Sequence, residues 1–258
     1  LGGIILGIYT GLLGYVGAKT GLSLDLLSQR AFGEKGSYLP SAMTSFTQIG
    51  WFGVGSFVSG GTATPNFARF AKDGKAGAIT TVVAFFIGNS LMFFFGAVSS
   101  IFVGGNDIFE VMVRLNLFYL AVLVLGLNIW TTNDNALYTA GLGLANIFHQ
   151  RKKPMVLLSG IIGTVASVWL YYNFCGWLNI LNCTLPPVGM ILVLAYFMNK
   201  EDFETDQPKL KTIDWFAVAG VILGAIVANL LHWGIASING MVVAAVCYCV
   251  GQAVNKRK

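Results

Sequence analysis

The chain has 258 residues, of which 55% are hydrophobic and only 10% charged, and its mean hydropathy is +0.71. Soluble domains carry about 25% charged residues, so this composition excludes an ordinary soluble protein and predicts an all-α integral membrane protein. The apolar runs are continuous, which excludes the alternating pattern of a membrane β-barrel. The net charge of +5 lies in short loops, so it indicates membrane topology rather than nucleic-acid binding.

The apolar runs predict nine membrane spans separated by short loops. In chain order the spans are Leu1–Ala18, Tyr38–Gly55, Ser56–Arg69, Ala76–Val103, Leu117–Asn146, Pro154–Phe174, Gly176–Met198, Trp215–Leu231 and Ile235–Val254. In the first loop, Leu22–Phe32 has the pattern of a short amphipathic helix on the membrane surface.

Lys and Arg residues predict which loops face the cytoplasm. They are concentrated in Lys19–Gly36, Arg69–Lys75, Arg151–Lys153 and Lys256–Lys258, so these loops and the C-terminus are expected on the cytoplasmic side. This scheme alternates correctly only if Tyr38–Arg69 crosses the membrane an even number of times. That segment has no charge before Arg69 and no evident loop, so we expect an even number of spans to be absent at Gly55/Ser56. The alternative is a tight reversal at the glycine clusters Gly53–Gly55 and Gly60–Gly61.

The stretch Gly126–Tyr138 contains the densest group of polar side chains inside a predicted span. The six fall within two helical turns and are Asn128, Thr131, Thr132, Asn133, Asp134 and Asn135. Polar groups at bilayer depth are costly unless they pair with one another or line a solvated path. The stretch therefore favours a transport site for a cation and a polar solute. The alternative is that these residues only hydrogen-bond neighbouring helices.

Oxygen atoms in this stretch have the spacing of a cation site. The Asn128 carbonyl and the Thr131 and Thr132 hydroxyls converge from one helical turn, which suits a hard cation such as Na+. A threonine in a membrane helix more often bonds its own i−4 carbonyl, which is the competing interpretation. Asp134 is the only acid placed well inside a predicted span, so proton coupling is a further alternative.

A second polar site is predicted from Gln48 and Trp51, which share one helix face. The Gln48 carboxamide offers both donors and an acceptor, which matches the edge of a pyrimidine, and Trp51 offers a flat surface for its ring. Trp51 as a core or interfacial aromatic is the alternative. Gly60 and Gly61 fit a break in the next helix, and the backbone groups freed by such a break can bind ligands. The alternative is that these glycines only allow neighbouring helices to pack closely.

Other functional classes find little support. His149 and His232 are the only histidines, they lie at predicted span ends, and no metal-ligand spacing or catalytic set accompanies them, so an enzyme is not expected. A channel would need polar stripes on several spans, whereas the polar residues gather at one depth.

Five segments carry a family resemblance. Leu6–Gly21, Arg30–Gly36, Gln48–Gly55, Gly126–Tyr138 and Pro186–Gly189 resemble the nucleobase:cation symporter-1 family, in particular its bacterial cytosine permeases. The resemblance extends over essentially the whole chain, and the Trp-Thr-Thr-Asn-Asp-Asn string is its most specific part.

The resemblance implies an architecture of twelve spans in the five-plus-five inverted-repeat fold of sodium-coupled transporters. Residues 1–258 then form a single transporter domain that starts at the second span. The chain passes from the third span to the sixth at Gly55/Ser56, so two internal spans and the first span are expected to be missing.

The resemblance also implies the site and its function. Trp51 and Phe57 sandwich the substrate, Gln48 hydrogen-bonds it, and further contacts come from Ser56, Ser59 and Asn133. The sodium site consists of Asn128, Thr131 and Thr132, completed by carbonyls of the first span. The expected function is cytosine import, coupled to Na+ or alternatively H+, by alternating access across the bacterial inner membrane. No obligate protein partner is expected, and carriers of uracil, hydantoin, allantoin or purines are the alternatives.

Overall fold

A computed structural model of the chain describes residues 2–54, 64–104, 108–205, 208, 210–231 and 233–255. In these residues the regular structure is α-helical and contains no strand. The helices are α1 (Gly2–Thr20), α2 (Leu24–Phe32), α3 (Tyr38–Val54), α4 (Pro65–Ala68), α5 (Gly74–Val103), α6 (Ile108–Arg114), α7 (Phe118–Phe148), α8 (Lys152–Tyr172), α9 (Phe174–Met198), α10 (Lys200–Glu204), α11 (Trp215–Leu230) and α12 (Ala236–Asn255).

Several of these helices have the length and hydropathy of membrane spans. The qualifying segments are Gly74–Val103, Lys152–Leu170, Phe174–Met198 and Ala236–Val254, and Trp215–Leu230 is apolar but shorter. The prediction of an all-α protein with membrane helices is therefore confirmed. The span predicted at Ser56–Arg69 lies largely outside the described residues, and the five-plus-five repeat stays a prediction.

The surface of α5 and of the first half of α7 is apolar. Phe93, Phe102 and Trp130 expose 71%, 82% and 69% of their surface. Contiguous apolar surface on this scale marks contact with lipid or with other apolar helices rather than with water.

The core surrounds α9, whose residues Val188, Ile191, Leu192 and Tyr196 are completely buried. Helices α1, α2, α11 and α12 pack around it, and they contribute Leu13, Val16, Leu27, Val221, Ala244 and Tyr248 to the same cluster. Burial of these side chains stabilises the bundle by about 1.5–3 kcal/mol for each large aliphatic residue, relative to water.

Helix α2 differs in its setting from the membrane-surface helix predicted at Leu22–Phe32. It begins where the Ser23 hydroxyl accepts a hydrogen bond from the Leu26 amide, and it ends at Gly33, whose φ is +85°. Its residues Leu24, Leu27 and Phe32 are buried against the protein core. Amphipathicity alone shows which face is apolar; only the tertiary structure shows that this face covers α9 rather than lipid.

Candidate functional site

Helices α3 and α7 run antiparallel and in close contact, and this pairing organises the candidate site. The Tyr38 hydroxyl lies 2.7 Å from Nε2 of His149 at one end. Further along, the Ser45 hydroxyl donates to the Ala140 carbonyl at 3.1 Å. Gly143 permits this approach, because an added Cβ there would lie 2.8 Å from the Ser41 carbonyl oxygen.

If the antiparallel pairing of α3 with α7 is followed one further turn beyond Ser45 and Ala140, Gln48 of α3 lies at the level of Ala136 and Thr139 on α7. Gln48 is 7% exposed, and Thr139 is 2% exposed with a hydroxyl that finds no hydrogen-bond partner among the described residues. A buried unpaired hydroxyl is costly, so Thr139 is a polar group available to a ligand. Sequence analysis missed it, although Thr132, Ala136 and Thr139 form a stripe of small residues at helical spacing.

The predicted substrate residues are only partly visible. Gln48 and Asn133 lie on the paired helices α3 and α7, and Asn133 is half-buried. Trp51 belongs to α3, but its side chain lies outside what the structure describes, as do Ser56, Phe57 and Ser59. The sandwich of Trp51 and Phe57 therefore stays a prediction.

The predicted sodium residues lie together on α7. Asn128 and Thr131 are exposed and Thr132 is half-buried. The Thr131 hydroxyl lies 3.1 Å from the Asn128 carbonyl oxygen and 3.0 Å from that of Leu127. The hydroxyl thus makes the intrahelical bond typical of membrane threonines, while the Thr131 and Asn128 oxygens remain close enough to bind one ion in common.

Asp134 is exposed rather than buried. It lines a cavity of about 490 Å³ together with Asn135, Tyr138, Lys152 and two phenylalanines, Phe67 and Phe70. The Lys152 ammonium lies 3.4 Å from the centroid of the Tyr138 ring, a favourable cation–π contact. This side of α7 therefore carries exposed polar groups where the sequence predicted a buried carboxyl.

The buried acid of this region is Asp25, on α2, which sequence analysis did not single out. Its carboxylate accepts a hydrogen bond of 2.6 Å from the Ser41 hydroxyl of α3. Ser41 in turn accepts from Asn146 Nδ2 of α7, and Asn146 Oδ1 accepts from Gln29 of α2 at 2.6 Å. The chain of hydrogen bonds ties three helices together. A lone Asp on an amphipathic helix gave no signal of this, because its partners are distant in sequence.

The comparison with known proteins decides the family. A sequence model for permeases for cytosine/purines, uracil, thiamine and allantoin matches residues 1–63 and 54–254. The chain belongs to this permease family. It is accordingly a member of a transporter family rather than of an enzyme family, and the resemblance found in its motifs is confirmed.

Individual relatives agree with the family. Cytosine permeases from three Escherichia coli strains (K12, O6:H1 and O157:H7) are each 35% identical to the chain over 351 aligned positions. The alignments cover 100% of this chain and 83% of each relative.

Proposed function

We propose that this permease imports cytosine together with a coupled cation, Na+ in preference to H+, by alternating access. The observation that carries the proposal is the full-length similarity to cytosine permeases, combined with the α3–α7 pairing that brings Gln48 and Asn133 onto facing helices. The expected setting is the bacterial inner membrane, with the basic loops and the C-terminus in the cytoplasm.

Substrate recognition is assigned to the buried end of this helix pair. The Gln48 carboxamide both donates and accepts, so it complements the adjacent amine and ring nitrogen of cytosine. Asn133 and Thr139 supply further polar atoms at neighbouring levels of α7. Trp51 and Phe57 are proposed to stack on the two ring faces, where aromatic contact with a base contributes about 1–3 kcal/mol.

The coupling ion is assigned to Asn128, Thr131 and Thr132. Their neutral oxygens fit Na+, which prefers oxygen ligands and must be released in every cycle. Bound there, the ion would supply positive charge that orders this turn of α7 beside Asn133 and so strengthens binding of the base. The coupling is reciprocal, since cytosine must then raise the affinity for Na+ by the same factor.

We further propose that two spans present in the relatives have no counterpart between Gly55 and Ser56. The 351 aligned positions exceed the 258 residues of the chain, so the relatives contain positions that this chain lacks. The family model matches in two pieces that meet at residues 54–63, which favours that junction. Peptide mass spectrometry of the protein extracted from its native membrane tests this: a peptide in which Gly55 is joined directly to Ser56 supports the deletion, and additional residues between them refute it.

Uptake of radiolabelled cytosine into proteoliposomes, with and without an inward Na+ gradient at fixed pH, tests the function. We expect accumulation that requires Na+ and is competed by little except cytosine. Accumulation without Na+ but with a proton gradient would replace Na+ by H+. Preferential competition by uracil, allantoin or a purine would change the substrate within the family.

Two variants test the site. Gln48→Ala is expected to abolish saturable uptake, and Thr131→Ala to abolish its Na+ dependence. Thr184→Ala is the matched control for Thr131, because the hydroxyl of the half-buried Thr184 also donates to its own i−4 carbonyl, that of Ile180. Equal Na+ dependence in Thr131→Ala and Thr184→Ala would refute the ion assignment.

A further inference from the structure

The segment 64–70, which contains α4, packs on α1 and leaves two aromatic side chains uncovered. Its contact with α1 is close, since an added Cβ on Gly17 would lie 2.7 Å from the Pro65 Cα. Phe67 and Phe70, by contrast, expose 42% and 73% of their surface. Both line the cavity of about 490 Å³ that this segment shares with α7 and α8.

Two cations meet at Tyr138, which lines the same cavity. The Lys152 ammonium, at the start of α8, lies 3.4 Å from the centroid of the Tyr138 ring. The Arg69 guanidinium donates to the Tyr138 hydroxyl and lies 4.7 Å from the centroid of the Phe70 ring. Because both cations contact one side chain, a single bound anion is within reach of both.

Neither of these cations is neutralised by an ion pair. In the part of the chain that the structure describes, the salt bridges of basic side chains are those of Arg114 and Lys211. Asp25 lies near enough for the charge of Arg69 to act on it, but its carboxylate accepts a hydrogen bond from Ser41. The pair of cations at Tyr138 therefore favours an anionic ligand.

Asp134 and Asn135 add a second requirement to the ligand. Both are exposed on α7 and line the same cavity. Asp134 leaves the group it forms with Arg69 and Lys152 with one net positive charge, so an anion is still preferred. The Asp134 carboxylate only accepts hydrogen bonds, so the ligand must bring donors to it. A glycerol head group supplies hydroxyl donors next to its phosphate.

The rest of the cavity wall is apolar and suits an acyl chain. Phe67 and Phe70 face Leu137 of α7 and Val156 of α8 across it. Anionic lipids are concentrated in the cytoplasmic leaflet, and basic pockets between membrane helices bind their head groups. A free phosphate or a nucleobase would leave this apolar wall uncovered, whereas a phospholipid covers it and binds the cations.

We propose that this cavity binds an anionic glycerophospholipid. Its phosphate lies between Arg69 and Lys152, its head-group hydroxyls donate to Asp134, and an acyl chain lies along Phe67 and Phe70. The bound lipid joins the segment 64–70 to α7 and α8 and so stabilises their packing. That the lipid comes from the cytoplasmic leaflet rests on the proposed topology, but binding requires neither cytosine nor transport.

Native mass spectrometry of the purified full chain in neutral detergent, titrated with phosphatidylglycerol, tests the proposal. We expect one tightly retained lipid for each chain. Phosphatidylcholine and phosphatidylethanolamine, which carry no net charge, should bind at least about 5-fold more weakly, the effect of one unit of charge. Equal binding of either zwitterionic lipid would overturn the proposal.

Thermal unfolding separates a lipid from a free anion. Phosphatidylglycerol is expected to raise the Tm with increasing concentration, because it binds the folded chain. Inorganic phosphate and glycerol 1-phosphate at the same concentrations should leave the Tm unchanged. An equal rise with either of them would identify a free-anion site and overturn the assignment to lipid.

Lys152→Gln and Lys153→Gln form a matched pair, because both remove a positive charge at the start of α8 and Lys153 is exposed outside the cavity. Lys152→Gln should weaken phosphatidylglycerol binding by about 10-fold or more, since it removes a charge-assisted bond to the phosphate. Lys153→Gln should weaken it by about 2-fold at most, because salt and solvent screen an exposed charge. Lys152→Arg should retain binding. Equal binding by the two glutamine variants would overturn the proposal.

Discussion

Asn146 connects α2, α3 and α7, so its truncation is predicted to be among the most destabilising changes at this end of the protein. Its Nδ2 donates to the Ser41 and Ser37 hydroxyls at 2.8 and 3.1 Å, and its Oδ1 accepts from Gln29 Nε2 at 2.6 Å. Asn146→Ala removes all three hydrogen bonds. At about 0.5–1.5 kcal/mol each, the expected loss is about 1.5–4.5 kcal/mol.

Thermal unfolding of the purified protein, followed by tryptophan fluorescence at fixed lipid and detergent composition, measures this loss. A chain of this size loses about 2–4 °C in Tm for each kcal/mol. Asn135→Ala is the matched control, because Asn135 lies exposed on the same helix and lines the cavity beside Asp134 instead of this network. A Tm for Asn146→Ala within about 1 °C of that of Asn135→Ala would refute the reasoning.

The remaining predictions concern packing, pH and coupling. Gly143→Ala is expected to lower the free energy of unfolding by about 1–3 kcal/mol, because the new methyl group meets the α3 backbone. Gly126→Ala should not destabilise the protein, because its methyl group meets nothing within 4 Å. Chemical denaturation of both variants checks this. Because burial raises the pKa of Asp25 to about 6, the free energy of unfolding should fall by about 2 kcal/mol between pH 4 and 6 and level off above about pH 7, and Asp25→Asn should remove this slope in a pH series of Tm values. Thr131→Ala should abolish Na+-dependent uptake while Thr184→Ala preserves it, as measured by initial rates across an Na+ titration.

Several features of the candidate site were predictable because they depend on neighbours in sequence. Asn128, Thr131 and Thr132 fall on one turn of α7 as their spacing requires, and Gln48 lies on the helix predicted for it. The family followed from short strings such as Gly126–Tyr138, which the comparison confirms.

Other features were not predictable because they depend on distant contacts. Thr139 became a candidate only when the α3–α7 register placed its unpaired hydroxyl at the level of Gln48. Asp134 looked buried within an apolar run, yet it lies on an exposed side of α7. Whether a residue is buried depends on which other helix packs against it, and a hydropathy pattern does not contain that information.

The sequence by itself determined the class of this protein, because the free energy of placing helices in a bilayer depends on composition and on local runs of apolar residues. It also determined the family, through motifs of a few consecutive residues. Only the tertiary structure decided that α2 covers α9 and that Asp25 is the buried acid beside Ser41 and Arg69. Those facts depend on residues 16 to 44 positions apart that meet only after the helices pack, and desolvation acts on a carboxyl only once its neighbours are in place.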